Sequence, residues 1–257
     1  MPLATIGGRG LFTKEIENHL IEGDIDLAVH SLKDLPVDLP EELALQAVLP
    51  RGDVRDALIS RTGKTLQQIS PGETIATSSV RRKAQLLAYN GALEITDIRG
   101  NIDTRLRKLE AGNSDALIVA ACGVIRAGYS EKITEFLPIE IMLPAAGQGI
   151  IGIEVRKDDE ALERLLQPIN DTDTFVMATA ERAFLAALGG GCQVPIGCYS
   201  KIAHNVLHMR GFLSNAQGRA IIRKESSGPS SEAVAVARGL ALQMIDEGGE
   251  AILRAFR

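Results

Sequence analysis

The sequence predicts a multidomain α/β protein with a small α+β domain at its C-terminal end. Three observations support this prediction. The chain has 257 residues, which is longer than most single domains. Short apolar runs alternate with helical patterns through the middle of the chain. After Asp171, strand-like runs are instead grouped together between helices.

The first 50 residues contain one predicted helix and two predicted strands. Thr13 to Glu22 has the spacing of a short amphipathic helix. The next segment, IDLAVHS (residues 25–31), is a mostly apolar strand, and LALQAVLP is a second strand candidate.

The middle of the chain, from Arg55 to Pro144, repeats a strand followed by a helix. The predicted elements are, in order, ALIS, then ETIATSS with VRRKAQLLAYN, LEITDIRG with NIDTRLRKLEAG, and DALIVAA with CGVIRAG. This alternation favours a parallel sheet covered by helices on both faces.

The last third begins with the β-branched run IIGIEVRK and a helix from Asp158 to Leu166. A long helix, TFVMATAERAFLAALGG, then ends at a run of glycines. Three strand-like runs follow (VPIGCYSKI, VLHMRGFL and AIIRKES), and a helix extends from about Ser231 to Asp246. Strands grouped in this way predict an antiparallel sheet flanked by helices.

The composition argues against several classes of protein. Three cysteines, at positions 122, 192 and 198, offer no disulfide framework, so we expect a reducing, cytoplasmic compartment. No apolar run approaches the length of a membrane span, and we expect neither a membrane partner nor a secretory signal. A net charge of −5, no Trp and 4% aromatic residues argue against a nucleic-acid partner.

Basic residues are nevertheless concentrated in one part of this acidic chain. Between Val80 and Glu110, seven Lys and Arg residues stand against four carboxylates. A local basic patch on an acidic protein suits a small anionic ligand better than a polymer.

Two motifs in this patch, TSSVRR (residues 77–82) and RGNIDTR (residues 99–105), follow the same pattern. In each, a strand ends, a Ser or Asn stands at the N-cap position of a helix, and arginines occupy the cap or the first turn. Arg is unfavourable there unless an anion binds, because a helix N-terminus already carries positive charge. We interpret both motifs as carboxylate or phosphate sites. The alternative is a solvated helix face, to which we assign Arg107 and Lys108.

The motif HSLKDLP places Lys33 and Asp34 where an apolar strand ends, which is a common position for site residues in α/β sheets. Asp before a Pro-containing turn is often only a turn former. Beside Lys33 and an Arg-lined cleft, the Asp34 carboxylate could instead act as a general acid or base.

The stretch GGGCQVPIG places Cys192 directly after three glycines and shortly before Pro195. Glycine tolerates tight turns and an X-Pro step favours extended backbone, so we expect this thiol on an exposed turn that enters a strand. A small hydrophobic residue that caps the loop is the alternative interpretation.

Two other motifs carry weaker signals. GQGIIG (residues 147–152) matches G-x-G-x-x-G, but a β-branched run follows it instead of a helix, so we interpret the match as accidental. His204 and His208 lie four residues apart in a strand-like run with no Cys, Asp or Glu cluster around them, and we expect no metal site there.

Seven motifs, in their order along the chain, resemble the porphobilinogen deaminase family, also called hydroxymethylbilane synthases. They are GGRGLFTKEIE, DLAVHSLKDLP, RGDVRDALIS, TSSVRRKAQL, DIRGNIDTRLRKL, LPAAGQGIIGIE and GGGCQVPIG. The resemblance implies two domains similar to type II periplasmic-binding proteins, with mixed sheets, and a C-terminal α+β domain with an antiparallel sheet. We place domain 1 at residues 1–50 plus 150–168, domain 2 at 55–145 and the C-terminal domain at 171–257.

The same resemblance implies a transferase that condenses four porphobilinogen molecules head to tail, with loss of ammonia, and releases 1-hydroxymethylbilane in porphyrin and haem biosynthesis. It implies a dipyrromethane cofactor, built from two substrate molecules and bound to Cys192 through a thioether. The growing chain stays tethered there. We also expect a monomer.

The site residues of the family can be matched one by one. Asp34 matches the acid/base carboxylate. The positions that match the cofactor-binding residues are Lys33, Thr77, Ser78, Ser79, Arg81, Arg82, Arg99 and Arg105. Arg9 and Arg126 match substrate-binding positions, and Arg9 stands where the family often has Lys.

The chain departs from the family pattern at its start. The family has a strand–helix–strand unit before the GGRG segment, whereas Met1 lies just ahead of that segment here. We therefore expect domain 1 to be incomplete and the activity of this chain alone to be low.

A protein of another class remains an alternative. A periplasmic-binding-like carrier or sensor could close on a small polycarboxylate without any chemistry. Extra mass on Cys192 and a colour reaction with Ehrlich's reagent would distinguish the enzyme from such a carrier.

Overall fold

The structure is a computed structural model that describes residues 10–191 and 193–256. Two of the predicted site residues, Arg9 and Cys192, lie outside the described residues. No helix of the described part is long and apolar enough to cross a membrane.

Apart from β7, which is not among the predicted strands, the described strands and α-helices follow the order that the sequence predicts. The strands are β1 (Leu27–Ser31), β2 (Leu43–Val48), β3 (Asp56–Ser60), β4 (Thr74–Ala76), β5 (Glu94–Thr96), β6 (Ala116–Ala120), β7 (Glu135–Phe136), β8 (Ile151–Arg156), β9 (Ile196–Ala203), β10 (Val206–Ser214) and β11 (Ile221–Pro229). The helices are α1 (Gly10–Glu22), α2 (Val80–Tyr89), α3 (Ile102–Glu110), α4 (Ala121–Arg126), α5 (Glu160–Leu166), α6 (Thr172–Ala187), α7 (Ala233–Met244) and α8 (Glu250–Arg254).

The first sheet has the strand order β1-β8-β2, with β8 antiparallel to both neighbours. The chain therefore leaves this sheet after β2 and returns to it about 100 residues later. On one side of the sheet, Ala47 and Val155 pack with Leu166 of α5. On the other side, Val48 packs with Leu32 and with Ala178 of α6.

The second sheet has the order β5-β4-β6-β3-β7. β4 is parallel to β5 and β6, as the repeated strand–helix pattern predicts. β3 is antiparallel to both β6 and β7, so the sheet is mixed, which confirms the mixed sheets implied by the family resemblance. The parallel sheet that the strand–helix alternation alone favours is wrong for β3. The apolar pattern of β3 indicates burial on both faces but carries no information on strand direction.

The third sheet, β11-β10-β9, is antiparallel throughout, which confirms the prediction for the C-terminal part. Helices α6 and α7 pack together against it, with Phe184, Met209 and Leu240 fully buried between them. Each of the three sheets falls within one of the predicted domain segments, 1–50 plus 150–168, 55–145 and 171–257. The boundaries themselves stay predictions.

Candidate anion-binding site

Two predicted anion-binding arginines meet at one buried carboxylate. Nη2 of Arg81 donates to Oδ2 of Asp56 at 2.8 Å, and Nη2 of Arg82 donates to Oδ1 of the same residue, also at 2.8 Å. Asp56 is fully buried at the start of β3, and both arginines are buried at the start of α2. The remaining contacts of the two guanidinium groups are with backbone carbonyls of Leu143 and Ile118.

The environment of Asp56 keeps this carboxyl group ionised. Burial alone would raise its pKa, but the charges of Arg81 and Arg82 oppose this effect. Hydrogen bonds from Arg82 and from Nε2 of Gln148, at 2.9 Å, act in the same direction. The result is a pKa of Asp56 well below its ordinary value.

The loop between β4 and α2 is held by the hydroxyl groups of the TSS motif. Ser79 is the N-cap of α2, as predicted, and its hydroxyl accepts a hydrogen bond from the Arg82 backbone N–H at 3.4 Å. Ser78 donates to the carbonyl of Ile98 at 2.6 Å and accepts from its N–H at 3.0 Å. Thr77 is buried and accepts from the N–H of Ser79. These bonds fix the Arg81 and Arg82 backbone against the neighbouring RGN loop.

The RGNIDTR motif forms the second predicted loop, between β5 and α3. Asn101 is the N-cap of α3, and its side chain accepts from the Thr104 N–H at 2.9 Å. Nε of Arg105 donates to the Gly100 carbonyl at 2.8 Å, while Arg99 is exposed. Gly100 has a φ of 118°, and a Cβ there would lie 2.6 Å from Thr104 Cγ2. Glycine is thus required for this turn.

Lys33 and Asp34 lie on a short 3-10 turn directly after β1. Asp34 is exposed and Lys33 is half-buried. Burial lowers the pKa of Lys33, and the nearby charge of Arg82 lowers it further, while the charges of Asp34 and Asp56 oppose both effects. The pKa of Lys33 therefore depends on the charges of Arg82 and Asp56.

The GQGIIG segment joins these parts of the site. Gln148 contacts Asp56, the carbonyl of Gly149 accepts from Nη2 of Arg126 at 2.9 Å, and Gly149 has a φ of 90°. A Cβ on Gly149 would lie 2.8 Å from the carbonyl oxygen of Gly52. The segment leads into β8 and not into a helix. A dinucleotide-binding G-x-G-x-x-G motif would open a helix, so this agrees with an accidental match.

The described residues on either side of position 192 are linked by hydrogen bonds to their neighbours along the chain and to Pro144. The Val194 N–H donates to the Gly191 carbonyl at 3.1 Å, and the Cys198 N–H donates to the Pro144 carbonyl at 2.8 Å. Pro144 directly follows Leu143, whose carbonyl accepts from Arg81. The strand after this loop is thus attached to the segment that contacts the arginine cluster. Cys198 itself is buried, and burial raises the pKa of its thiol well above the ordinary value.

Sequence reasoning did not identify Asp56 or Gln148 as site residues. Their contacts span 26 residues between Asp56 and Arg82 and 92 residues between Asp56 and Gln148, so no local pattern reveals them. One signal in the sequence points to Asp56: in RGDVRDALIS it is the first residue of an apolar strand. A carboxylate buried in such a strand needs a cationic partner.

The mixed sheets and the antiparallel C-terminal sheet define an α/β protein with a small α+β part at its C-terminal end. Comparison with known proteins identifies its family. The profile "Porphobilinogen deaminase, dipyromethane cofactor binding domain" matches residues 1–164, and "Porphobilinogen deaminase, C-terminal domain" matches residues 175–246. The chain belongs to the porphobilinogen deaminase family.

Curated relatives agree with this assignment over the whole chain. A porphobilinogen deaminase from Chlorobaculum tepidum is 45% identical over 259 residues, which cover 100% of this chain and 83% of the relative. One from Syntrophotalea carbinolica is 44% identical over 255 residues, covering 99% of this chain and 81% of the relative. The protein is therefore an enzyme of this type, which condenses porphobilinogen in tetrapyrrole synthesis and uses a dipyrromethane cofactor.

Solved structures with a more distant likeness include a TRAP periplasmic solute binding protein from Desulfovibrio salexigens. It has a TM-score of 0.39 and 9% sequence identity, and the match covers 64% of this chain and 60% of that one. The BvgS periplasmic VFT2 domain from Bordetella pertussis has a TM-score of 0.37 and 13% identity, with 66% and 72% covered.

Proposed function

We propose that the cation cluster around Asp56 binds the carboxylates of the dipyrromethane cofactor, and that Cys192 is its attachment point. The observation that carries this proposal is the charge balance of the cluster. Arg81 and Arg82 provide two cations against the single carboxylate of Asp56, with which both form ion pairs. The excess positive charge is partly desolvated, which favours an anionic ligand.

The residues present fit the chemistry of this cofactor. Each pyrrole carries an acetate and a propionate, and guanidinium groups match carboxylates bidentately. Nε of Arg82 is buried, with no acceptor within hydrogen-bond distance among the described residues. An unpaired buried donor is unfavourable, and a ligand carboxylate that draws Arg82 toward it could relieve this cost. When bound, the cofactor supplies the pyrrole to which the first substrate is joined.

Asp34 is the residue to which we assign proton transfer. It is exposed and directly follows Lys33 in the short turn after β1. A carboxylate at this position can accept hydrogen bonds from pyrrole N–H groups and can stabilise the positive charge left on the substrate as ammonia departs. It can also take up and return the proton that the condensation transfers.

The remaining predicted residues act in binding. We assign cofactor contacts to Thr77, Ser78, Ser79, Arg99 and Arg105, since two hydrogen bonds between Ser78 and Ile98 join the loops that carry them. We assign binding of the substrate's carboxylates to two arginines. Arg126 is exposed and donates to the carbonyl of Gly149, and Arg9 lies outside the described residues. The net charge of −5 supports a protein without a nucleic-acid partner, and we propose that it is a cytoplasmic monomer.

The test incubates the purified chain with porphobilinogen and follows intact mass and the reaction with Ehrlich's reagent. We expect a mass increase that corresponds to two condensed porphobilinogen units, and a positive colour reaction. Cys192→Ser should show neither, whereas Cys122→Ser, the matched control, should show both. A chain that binds porphobilinogen reversibly without added mass would instead match the carrier, an alternative that family membership does not favour.

A further inference from the structure

Asp56 is a buried carboxylate that accepts hydrogen bonds from three side chains. Two guanidinium groups and the amide of Gln148 donate to its two oxygen atoms, at 2.8, 2.8 and 2.9 Å. The three donors come from two different parts of the chain, α2 and the segment before β8. Asp56 therefore fixes the position of both arginines relative to the GQG segment.

The same contacts place Asp56 in competition with any anionic ligand of these arginines. A guanidinium group that already donates to one carboxylate interacts less strongly with a second carboxylate, because part of its charge is neutralised. Without Asp56, the buried Arg81 and Arg82 would repel each other with no counter-charge between them.

We propose that Asp56 is a positioning residue for cofactor binding: it is the internal counter-ion of Arg81 and Arg82 before the cofactor binds, and it limits how strongly they hold the cofactor's carboxylates afterwards. This inference rests on the proposed function of the cluster. Its consequence is a thermodynamic coupling between Asp56 and the cofactor, because each supplies negative charge to the same two arginines.

The experiment measures the melting temperature, Tm, of the full chain before and after incubation with porphobilinogen. For Asp56→Asn, which keeps the shape of the side chain but removes its charge, we expect a lower Tm before incubation. The rise in Tm on incubation should exceed that of the unchanged chain by about 5 °C, because the ligand's carboxylates then replace the missing counter-ion. Asp56→Glu, which keeps the charge, should show a rise close to that of the unchanged chain.

Glu181→Gln is the matched control. Glu181 is also fully buried and forms an ion pair with an arginine, Arg51. Its side chain makes no hydrogen bond to Arg81 or Arg82. The Tm of this variant should lie below that of the unchanged chain by the same amount before and after incubation, as expected for an ion pair that serves only the fold.

Each outcome separates the two proposals. If the unchanged chain gains neither Tm nor mass with porphobilinogen, the proposed function is wrong. If the unchanged chain gains both mass and Tm, and the rise in Tm of Asp56→Asn is no larger than that of the unchanged chain, then Asp56 has only a structural role. That result would overturn the inference. If Asp56→Asn fails to fold alone, refolding only in the presence of porphobilinogen supports the inference, and failure in both conditions contradicts it.

Discussion

Arg51 and Glu181 form a bidentate ion pair in the protein interior, with Nη1–Oε1 at 2.7 Å and Nη2–Oε2 at 3.2 Å. Their side chains are 7% and 0% exposed. Glu181 in α6 also accepts hydrogen bonds from the N–H groups of Gly147 and Ser200. This one carboxylate therefore connects the chain before β3, the GQG segment and the C-terminal sheet.

We predict that Glu181→Gln lowers the free energy of unfolding by about 3 kcal/mol, because it leaves the Arg51 charge buried without its partner. Urea denaturation followed by circular dichroism measures this change. The control is Glu160→Gln, which removes an exposed pair with Arg164 and should leave the denaturation midpoint unchanged. Equal midpoints for both variants would mean that the buried pair contributes nothing.

Asp34→Asn should separate chemistry from folding. The substitution keeps the side-chain shape and the turn-forming capacity of an exposed residue, so the Tm should change little. Condensation should slow by about two orders of magnitude relative to the unchanged chain, the contribution expected of a positioned acid or base. Asp34→Glu should keep partial activity. A normal rate of hydroxymethylbilane formation by the Asn variant would assign Asp34 to its turn alone.

Arg82→Leu should reduce both stability and cofactor loading. The substitution removes one of two cationic partners of Asp56, and breaking a buried charged pair costs about 3 kcal/mol. Loading with porphobilinogen, measured as the fraction of chain with added mass, should fall at least tenfold. Arg107→Leu is the control, since Arg107 lies exposed on α3, on the helix face that the sequence predicts to be solvated. Normal loading of folded Arg82→Leu would show that Arg82 serves only the fold.

The acid stability of the protein should depend on Asp56. The folded state holds the pKa of Asp56 below its unfolded value of about 3.9, despite the opposing effect of burial. The stability that this ionised group contributes is therefore present above about pH 4 and is lost as the pH falls toward the folded-state pKa.

Between pH 6 and pH 3, the urea midpoint of the unchanged chain should fall. The midpoint of Asp56→Asn should start lower and fall less steeply, because Asn has no carboxyl proton to take up. Parallel curves for the two proteins would contradict the assignment of this acid sensitivity to Asp56.

The two loops before α2 and α3 could be predicted from the sequence, because their hydrogen bonds join residues close together in the chain. The N-caps Ser79 and Asn101 follow from side-chain hydrogen bonds within three residues, and both are confirmed. The direction of β3 and the role of Asp56 depend on contacts between distant segments, so no pattern in the neighbouring residues encodes them. The sequence predicts that Arg81 and Arg82 bind an anionic ligand. In the fold, both also form ion pairs with the buried carboxylate of Asp56.

The most direct test of the proposed site is the location of the covalent cofactor. The chain is incubated with porphobilinogen and digested, and the peptides that contain Cys122, Cys192 and Cys198 are analysed by mass spectrometry. We predict that the added mass is found on Cys192 alone, since Cys122 and Cys198 are both buried. An adduct on Cys198, or an unmodified Cys192 in a preparation that forms hydroxymethylbilane, would contradict the assignment.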